Sequence, residues 1–404
     1  MHILLISDNF YPETNAPASR GFEHCKVWVS QGHKVTVITS FPNFPRGKVY
    51  SGYKNKLYQF ENIKGINILR VWTYMAPNSG IWKRILDQLS FMITAFFGGV
   101  FLKNIDVVIG TTPHIFTPVS AVLISKIKNI KFILELRDLW PDSMVAVGMD
   151  NKFFLFKLAK FLEKKLYFSA HKIIPVTNSF STYLIKMGIP KSNIKVVMNG
   201  VDISFFDFKK SKYIKRSSKI FQISYIGTIG MAHSIHTIVE AANIMKNDFY
   251  DLPIKFQIIG DGAERKTIEK EIYNLENIIL LPLVPKEKII EYLDRSDLGI
   301  IHLKKNDLFK TVIPSKMFEY MAMGIPILHG VLGESYEIIR KHNLGIYFEA
   351  ENPQDLCASI IKLYNEKSLY NEISKNCVKV SSLFNRESLA LDMLLEIKKA
   401  VRNE

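Results

Sequence analysis

Short apolar runs alternate with amphipathic helical stretches along nearly the whole chain, and this rhythm restricts the possible folds more than any other feature. In the first half the strand candidates are His2–Ser7, Val35–Ser40, Asn67–Trp72, Asp106–Thr111, Lys131–Leu136, Lys172–Val176 and Lys195–Met198. Helical patterns such as Ser19–Gln31, Trp82–Leu102, Phe153–Phe168 and Ser179–Met187 fall between them. In the second half, strand candidates Phe221–Ile226, Lys255–Ile259, Ile278–Leu281, Gly299–His302, Pro326–His329 and Gly345–Phe348 alternate with further helices. Such alternation predicts parallel sheets covered on both faces. A chain of 404 residues is too long for one ordinary core. The basic, Ser-rich stretch Phe205–Lys219 has no strand pattern and reads as a linker. The expectation is two doubly wound α/β domains, 1–204 and 205–384, whose strand C-termini border a cleft. Open α/β sheets take ligands there.

The net charge of +15 favours a phosphate-bearing ligand, nucleic acid or an anionic membrane surface. The lysines are scattered and no stacking platform appears, which argues against nucleic acid. Three cysteines without metal-ligand spacing read as free thiols of a reducing compartment. The start "MHILLISDNFYPE" reads as a strand and turn rather than a signal peptide. The most apolar run, Leu89–Leu102, is fourteen residues, too few to span a bilayer. No Asp-x-Asp, His cluster or Cys pair is present, so no metal site is expected.

Three stretches carry candidate chemistry. In "YIGTIGMAHSIHTIVEAA" a strand ends at Gly227, Gly230 follows, and a helix begins near Ser234. This is either a phosphate cradle, with glycines admitting the ligand and amides facing it, or a plain strand-to-helix turn. In "IIGDGAERKTIEKEI", Gly260 and Gly262 flank Asp261 in a second turn, ligand-facing or merely tight. In "KTVIPSKMFEYMAMGIPIL", Pro314-Ser315-Lys316 reads as a helix start with Ser315 near the cap. Lys316 in the first turn opposes the helix dipole, which points to an anionic partner or else to an exposed lysine. Glu319 shares its face and suits the hydroxyls of a ribose. Together these residues ask for a nucleoside diphosphate.

With "NGVD" at Asn199–Asp202 and the N-terminal "YPETNAPASR…GHKVTVITSFPNFP", the whole chain resembles the retaining glycosyltransferases of family 4, which have the GT-B fold of two Rossmann-like domains. "ELRDLWPDS" (Glu135–Ser143) further resembles a bacterial branch that transfers N-acetylated deoxy-amino sugars, such as N-acetyl-L-fucosamine, in O-antigen and capsule assembly. The resemblance implies a metal-independent hexosyltransferase that needs no cofactor. It would move such a sugar from a UDP-sugar to a polyprenyl-diphosphate-linked glycan. The last helix, about 385–404, is expected to pack back on the first domain.

The family typically carries a Glu-x7-Glu pair. Its second member corresponds to Glu319; its first, which touches donor hydroxyls, falls on Thr311. The family's Arg and Lys in the glycine turn fall on Thr228 and His233, leaving Lys316 as the substitute, helped by Arg137. The donor set is thus Gly227, Thr228, Gly230, His233, Gly260, Thr311, Pro314, Ser315, Glu319 and Arg137. Asn15, Ala16 and Pro17 are small loop residues that admit an acceptor, and Arg20 either meets an acceptor phosphate or is an exposed helical arginine. His114 and Asp138 at strand ends join Lys316 as catalytic candidates, Asp138 as an acceptor-activating base or, alternatively, a cap or ion-pair partner. The segment from Ile81 to Leu102, led by Lys83 and Arg84, is either a membrane-facing helix or a core helix. The expected location is the cytoplasm, peripheral on the inner face of the bacterial plasma membrane. A UDP-sugar 2-epimerase of GT-B-like fold and a basic nucleic-acid-binding protein are the alternatives.

Overall fold

The computed structural model describes residues 1–75, 81–146, 154–208 and 220–402. The chain divides into two units, Met1–Asn199 with Arg386–Glu404, and Gly200–Asn385. In unit 1 the order is β1 (His2–Ile6), α1 (Ala16–Ser30), β2 (Lys34–Ser40), β3 (Tyr58–Ile63), β4 (Ile66–Val71), α2 (Ile81–Phe101), β5 (Val107–Thr111), α3 (Phe116–Lys128), β6 (Lys131–Leu136), α4 (Asp142–Ala146), α5 (Phe154–Ser169), β7 (Lys172–Pro175) and α6 (Asn178–Lys186). Unit 2 runs β8 (Phe221–Ile226), α7 (His236–Asp248), β9 (Ile254–Ile259), α8 (Arg265–Glu271), β10 (Ile278–Leu281), α9 (Lys286–Asp294), β11 (Leu298–His302), α10 (Lys316–Ala322), β12 (Ile327–Gly330), α11 (Glu334–His342), β13 (Gly345–Tyr347), α12 (Pro353–Asn365) and α13 (Lys367–Ser381). The last helix, α14 (Arg386–Arg402), belongs to unit 1.

Both sheets are doubly wound. Unit 1 has strand order β3-β4-β2-β1-β5-β6-β7 and unit 2 has β10-β9-β8-β11-β12-β13. Every pairing is parallel except β3 with β4. The central strands are buried end to end, as in β1, β5 and β11, which is why they read as unbroken apolar runs. The core of unit 1 joins Leu5, Trp28, Val37 and Ile109 to Met393 and Ile397 of α14. The indole N–H of Trp28 donates to the Ala390 carbonyl at 3.0 Å, tying α1 to α14.

One sequence expectation fails here, and one strand was not foreseen. Lys195–Met198 forms no strand. Its backbone carbonyls at Val197 and Met198 instead accept from Arg20. The strand β3 went unread because it alternates exposed and half-buried residues at a sheet edge and buries no continuous apolar run. Of the expected linker, 209–219 lie outside the described residues. Its first residues are packed within unit 2: Phe206 is buried and stacks edge-on against Phe205. The apolar helix is also longer than its hydrophobic heart. Trp82–Phe101 is long and apolar enough to cross a membrane by length and composition. Its Phe91 and Ala95 are nevertheless buried in unit 1.

Candidate functional site

In unit 2 the glycine turns after β8 and β9 interlock. The amide of Ile229 donates to the Asp261 carbonyl at 3.0 Å, and the Glu264 amide donates to the Ile229 carbonyl at 3.0 Å. A Cβ on Gly260 would collide with the Gly227 carbonyl. Gly260 is therefore a glycine because another backbone crosses it, and its amide donates to the Leu281 carbonyl at 3.3 Å. Gly227 is different. Its φ of +145° favours glycine, and a Cβ there would strike Cε and Nζ of Lys316. The turn after β8 leaves room for one lysine stem.

That lysine opens α10. Its Nζ donates to the Tyr225 hydroxyl at 3.3 Å and stands 4.4 Å from the centre of the same ring. Among the described residues it makes no ion pair. Burial pushes its pKa down to about 8, with Glu319 one turn on acting in the opposite direction. Tyr225 is buried and in turn donates to the Thr228 carbonyl at 2.7 Å, which fixes the turn. The result is a positive charge held in a preset position on a rigid aromatic base.

The other expected donor residues have plainer surroundings. Ser315 stands at the N-cap position but its hydroxyl makes no capping bond. Pro314 precedes it and accepts from the Met317 amide at 3.1 Å. Thr311 ends a short 3-10 turn and spends its hydroxyl on the Leu308 carbonyl at 2.6 Å, a local bond. Thr228 is exposed at the turn, and the Gly230 carbonyl accepts from the His233 amide at 2.8 Å. The His233 ring is pushed down to about 3 by burial and by Lys316 nearby, so it is neutral at physiological pH. Its carbonyl accepts from His302, at 3.0 Å.

In unit 1 the expected acceptor residues are mostly spent on structure. Asn15 caps α1, accepting from the Ala18 amide at 2.9 Å, and donates to Asn9 at 2.6 Å. Ala16 is exposed and Pro17 half-buried in the first turn. Arg20 is buried. Its guanidinium donates to Glu135 at 2.8 Å, to the Met198 carbonyl at 2.7 Å, to Asn199 at 3.2 Å and to the Val197 carbonyl at 3.0 Å. It has no free edge for an acceptor phosphate, which corrects that expectation.

Arg137 does have one. It makes no ion pair among the described residues, and its guanidinium has one long bond, to Thr111 at 3.5 Å. Burial lowers its pKa to about 10 against the pull of Glu135. Asp138 is also raised by burial, although Ser143 and the Leu139 amide bond its carboxylate. A carboxyl already bonded in this way is a weaker candidate for a free base than one with open oxygens.

Two residues escaped the sequence reading. Asp8, just beyond β1, lies 2.8 Å from Nδ1 of His114 and orients that ring. Glu13 is buried, accepts the Asn43 and Phe44 amides at 2.7 and 2.8 Å through Oε1, and leaves Oε2 without a partner. Burial pushes its pKa up to about 7. Its presence in "YPETN" was legible; its burial beneath the loop of residues 41–45 was not, since that loop lies thirty residues on.

Known proteins match the chain over most of its length. The family model described as Glycosyltransferase Family 4 matches residues 22–205, and the one described as Glycosyl transferases group 1 matches residues 207–380. A putative colanic acid biosynthesis glycosyl transferase, WcaI of Escherichia coli, is 24% identical over 80% of this chain and 82% of its own. Among solved structures, sucrose-phosphate synthase of Thermosynechococcus elongatus superposes with a TM-score of 0.76 at 15% identity, covering 100% of both chains. HepE of Anabaena in complex with UDP-glucose gives 0.72 at 14% identity, covering 99% of this chain and 100% of that one.

Proposed function

The chain belongs to glycosyltransferase family 4, a family of retaining enzymes with the GT-B fold, and from that premise we propose that it moves an N-acetylated deoxy-amino sugar from a UDP-sugar to a polyprenyl-diphosphate-linked glycan during bacterial surface polysaccharide synthesis. The observation that carries this reading is Lys316. Its ammonium is half-buried, fixed on Tyr225 over Gly227, and unmatched by any carboxylate ion pair among the described residues. Placing a charge there is costly unless an anion completes it. A diphosphate does so, and its charge grows as the glycosidic bond breaks, so the same lysine favours the transition state over the ground state.

Glu319 takes the ribose hydroxyls, and the Thr228 and Gly230 amides of the turn take phosphate oxygens, those of Gly227 and Ile229 being spent on backbone carbonyls. Thr228, His233, Thr311, Pro314 and Ser315 line the donor side. Unit 1 receives the acceptor. Ala16 and Pro17 present a small surface to it, Arg137 supplies a cation, and Asp8 holds Nδ1 of His114 so that Nε2 is left to meet an acceptor hydroxyl. Retention follows from attack on the face the diphosphate leaves, the departing phosphate oxygen taking the acceptor's proton. Transfer proceeds without a metal, at the cytoplasmic face of the plasma membrane, where such an acceptor is anchored. The relatedness to a putative colanic acid glycosyl transferase and the fold shared with a UDP-glucose complex support this reading.

The test is a screen of UDP-sugars with and without a lipid-diphosphate-linked acceptor. UDP release that depends on the acceptor is the expected result. Acceptor-free isomerisation of a UDP-sugar would replace this reading with an epimerase. Glu319→Ala should weaken UDP binding by roughly 1.5–3 kcal/mol for a lost charged hydrogen bond. Unchanged affinity in calorimetry would remove the ribose assignment.

A further inference from the structure

Three helices lie side by side on unit 1, with α3 packed against both α2 and α5. Each has an outer face that no described residue covers. On α2, Trp82, Leu86, Ile93, Phe97 and Phe101 are all exposed, with Trp82 at 63% and Phe101 at 78%. At 100° per residue they fall within an arc of roughly 100°, opposite the buried Phe91 and Ala95. The amphipathicity is thus inverted at the surface: the inner stripe fills the core, and the outer stripe is just as apolar. Ile127 of α3 and Phe161 and Phe168 of α5 continue the exposed apolar surface, each more than half exposed.

The charge between these side chains has one sign. The three helices hold eight lysines and arginines and two acids. Of the acids, Glu163 is buried and bonded to Lys160 and Tyr167, while Asp87 lies in the field of Arg84. On α5, Lys157, Lys164 and Lys165 are exposed on the same arc as Phe161 and Phe168, with Lys164 and Lys165 standing over those rings. A protein partner of ordinary composition would leave these lysines buried and unmatched. A lipid bilayer with anionic headgroups accepts the rings below and the ammonium groups above. We propose that the combined outer face of α2, α3 and α5 is the docking surface of this chain on an anionic bilayer, with the lysines of α5, rather than Lys83 and Arg84, supplying most of the electrostatic attraction. The inference deepens the membrane location assigned above and rests on it. The helix α2 lies in the headgroup region instead of crossing, because its inner face is committed to the core of unit 1.

The experiment is vesicle co-sedimentation of the full chain at low salt. The vesicles are phosphatidylcholine alone or phosphatidylcholine with about one third phosphatidylglycerol. The wild type should pellet with the anionic vesicles. The variant Lys157→Ser/Lys164→Ser/Lys165→Ser should lose about 100-fold in partitioning, against a much smaller loss for Lys83→Ser/Arg84→Ser. Phe97→Ser/Phe161→Ser should weaken binding at low and high salt alike. All these positions but the half-buried Arg84 are exposed, and circular dichroism confirms the fold of each variant. Equal binding by the α5 triple variant and the wild type would overturn the proposal. So would absence of vesicle binding, or a concentration-dependent dimer dispersed by Phe97→Ser/Phe161→Ser, which would make the face a contact between copies. Transfer to a short soluble acceptor, measured on the same variants, separates the two readings. Loss of vesicle binding with that transfer intact is the expected signature, whereas a wild type that binds vesicles yet never transfers sinks the glycosyltransferase proposal alone.

Discussion

Each unit withdraws a cation from water beside its parallel sheet, and the two cations are treated in opposite ways. In unit 1, Arg20 is fully buried and every nitrogen of its guanidinium is engaged, with Glu135 at 2.8 Å and three further acceptors in the Val197–Asn199 segment. In unit 2, Lys316 meets one phenol oxygen and the face of its ring. Burial lowers the pKa of both. Burial also works to raise that of Glu135, but Arg20, Arg137 and the Thr111 hydroxyl together outweigh it and hold this carboxyl below its usual range. A paired buried charge is architecture, and removing one member strands the other. An unpaired one waits for its partner. The contrast separates a residue that looked like an acceptor contact from one that looks like a donor contact.

The strongest way to break this comparison is Arg20→Ala. It leaves Glu135 buried beside a missing partner and should cost about 3–5 kcal/mol of stability, read from denaturant unfolding. UDP affinity of the remaining folded protein should not change; a stable variant that had lost acceptor turnover would return Arg20 to the acceptor site. Glu13 sharpens the same point with the opposite charge. Its pKa is raised to about 7, so between its ordinary value of 4.5 and 7 the folded chain binds more protons than the unfolded one. Stability from this group is therefore present in full below 4.5 and is lost as pH rises through about 7. Glu13→Gln should remove that fall, worth roughly 3–4 kcal/mol between the two limits. Parallel pH profiles of wild type and variant would refute it.

Lys316→Ala should behave unlike Arg20→Ala in both respects. UDP binding should weaken by roughly 1.5–3 kcal/mol in calorimetry, while thermal stability holds or rises, since no ion pair is broken. A large loss of stability would mean that Lys316 is structural after all. The smallest effect is a slope. Free Lys316 loses its proton at about 8, so UDP affinity should be level below that pH and fall by about tenfold per unit above it. Lys316→Arg should flatten the profile over the same range, because guanidinium stays charged.

The sheet of unit 2 could be read almost strand by strand. Its inner strands are largely covered, so burial writes itself into sequence as runs such as "IKFQII" and "LGIIH". The edge strand β3 could not be read, because half its residues face water. Val197 and its neighbours looked like a strand because they are apolar, yet their carbonyls turn to Arg20, which lies about 180 positions away in the chain. The candidate site divides in the same manner. Lys316, Glu319 and the glycine turns could be named from local spacing and resemblance. The partners that give each residue its meaning could not: Tyr225 under Lys316, Asp8 beside His114, Glu135 on Arg20, the 41–45 loop over Glu13.

By itself, then, the sequence determined two doubly wound α/β units, the glycines that end the strands, and a lysine placed against a helix dipole. Those features are local, set by periodicity and by the conformations that single residues allow. Only the tertiary structure decided which buried charge is matched and which is open, and which glycine admits a lysine and which admits another backbone. It alone showed that the outer stripe of α2 faces water beside the lysines of α5. Electrostatics and burial are summed over neighbours in space, and those neighbours come from strands and helices a hundred or more residues apart.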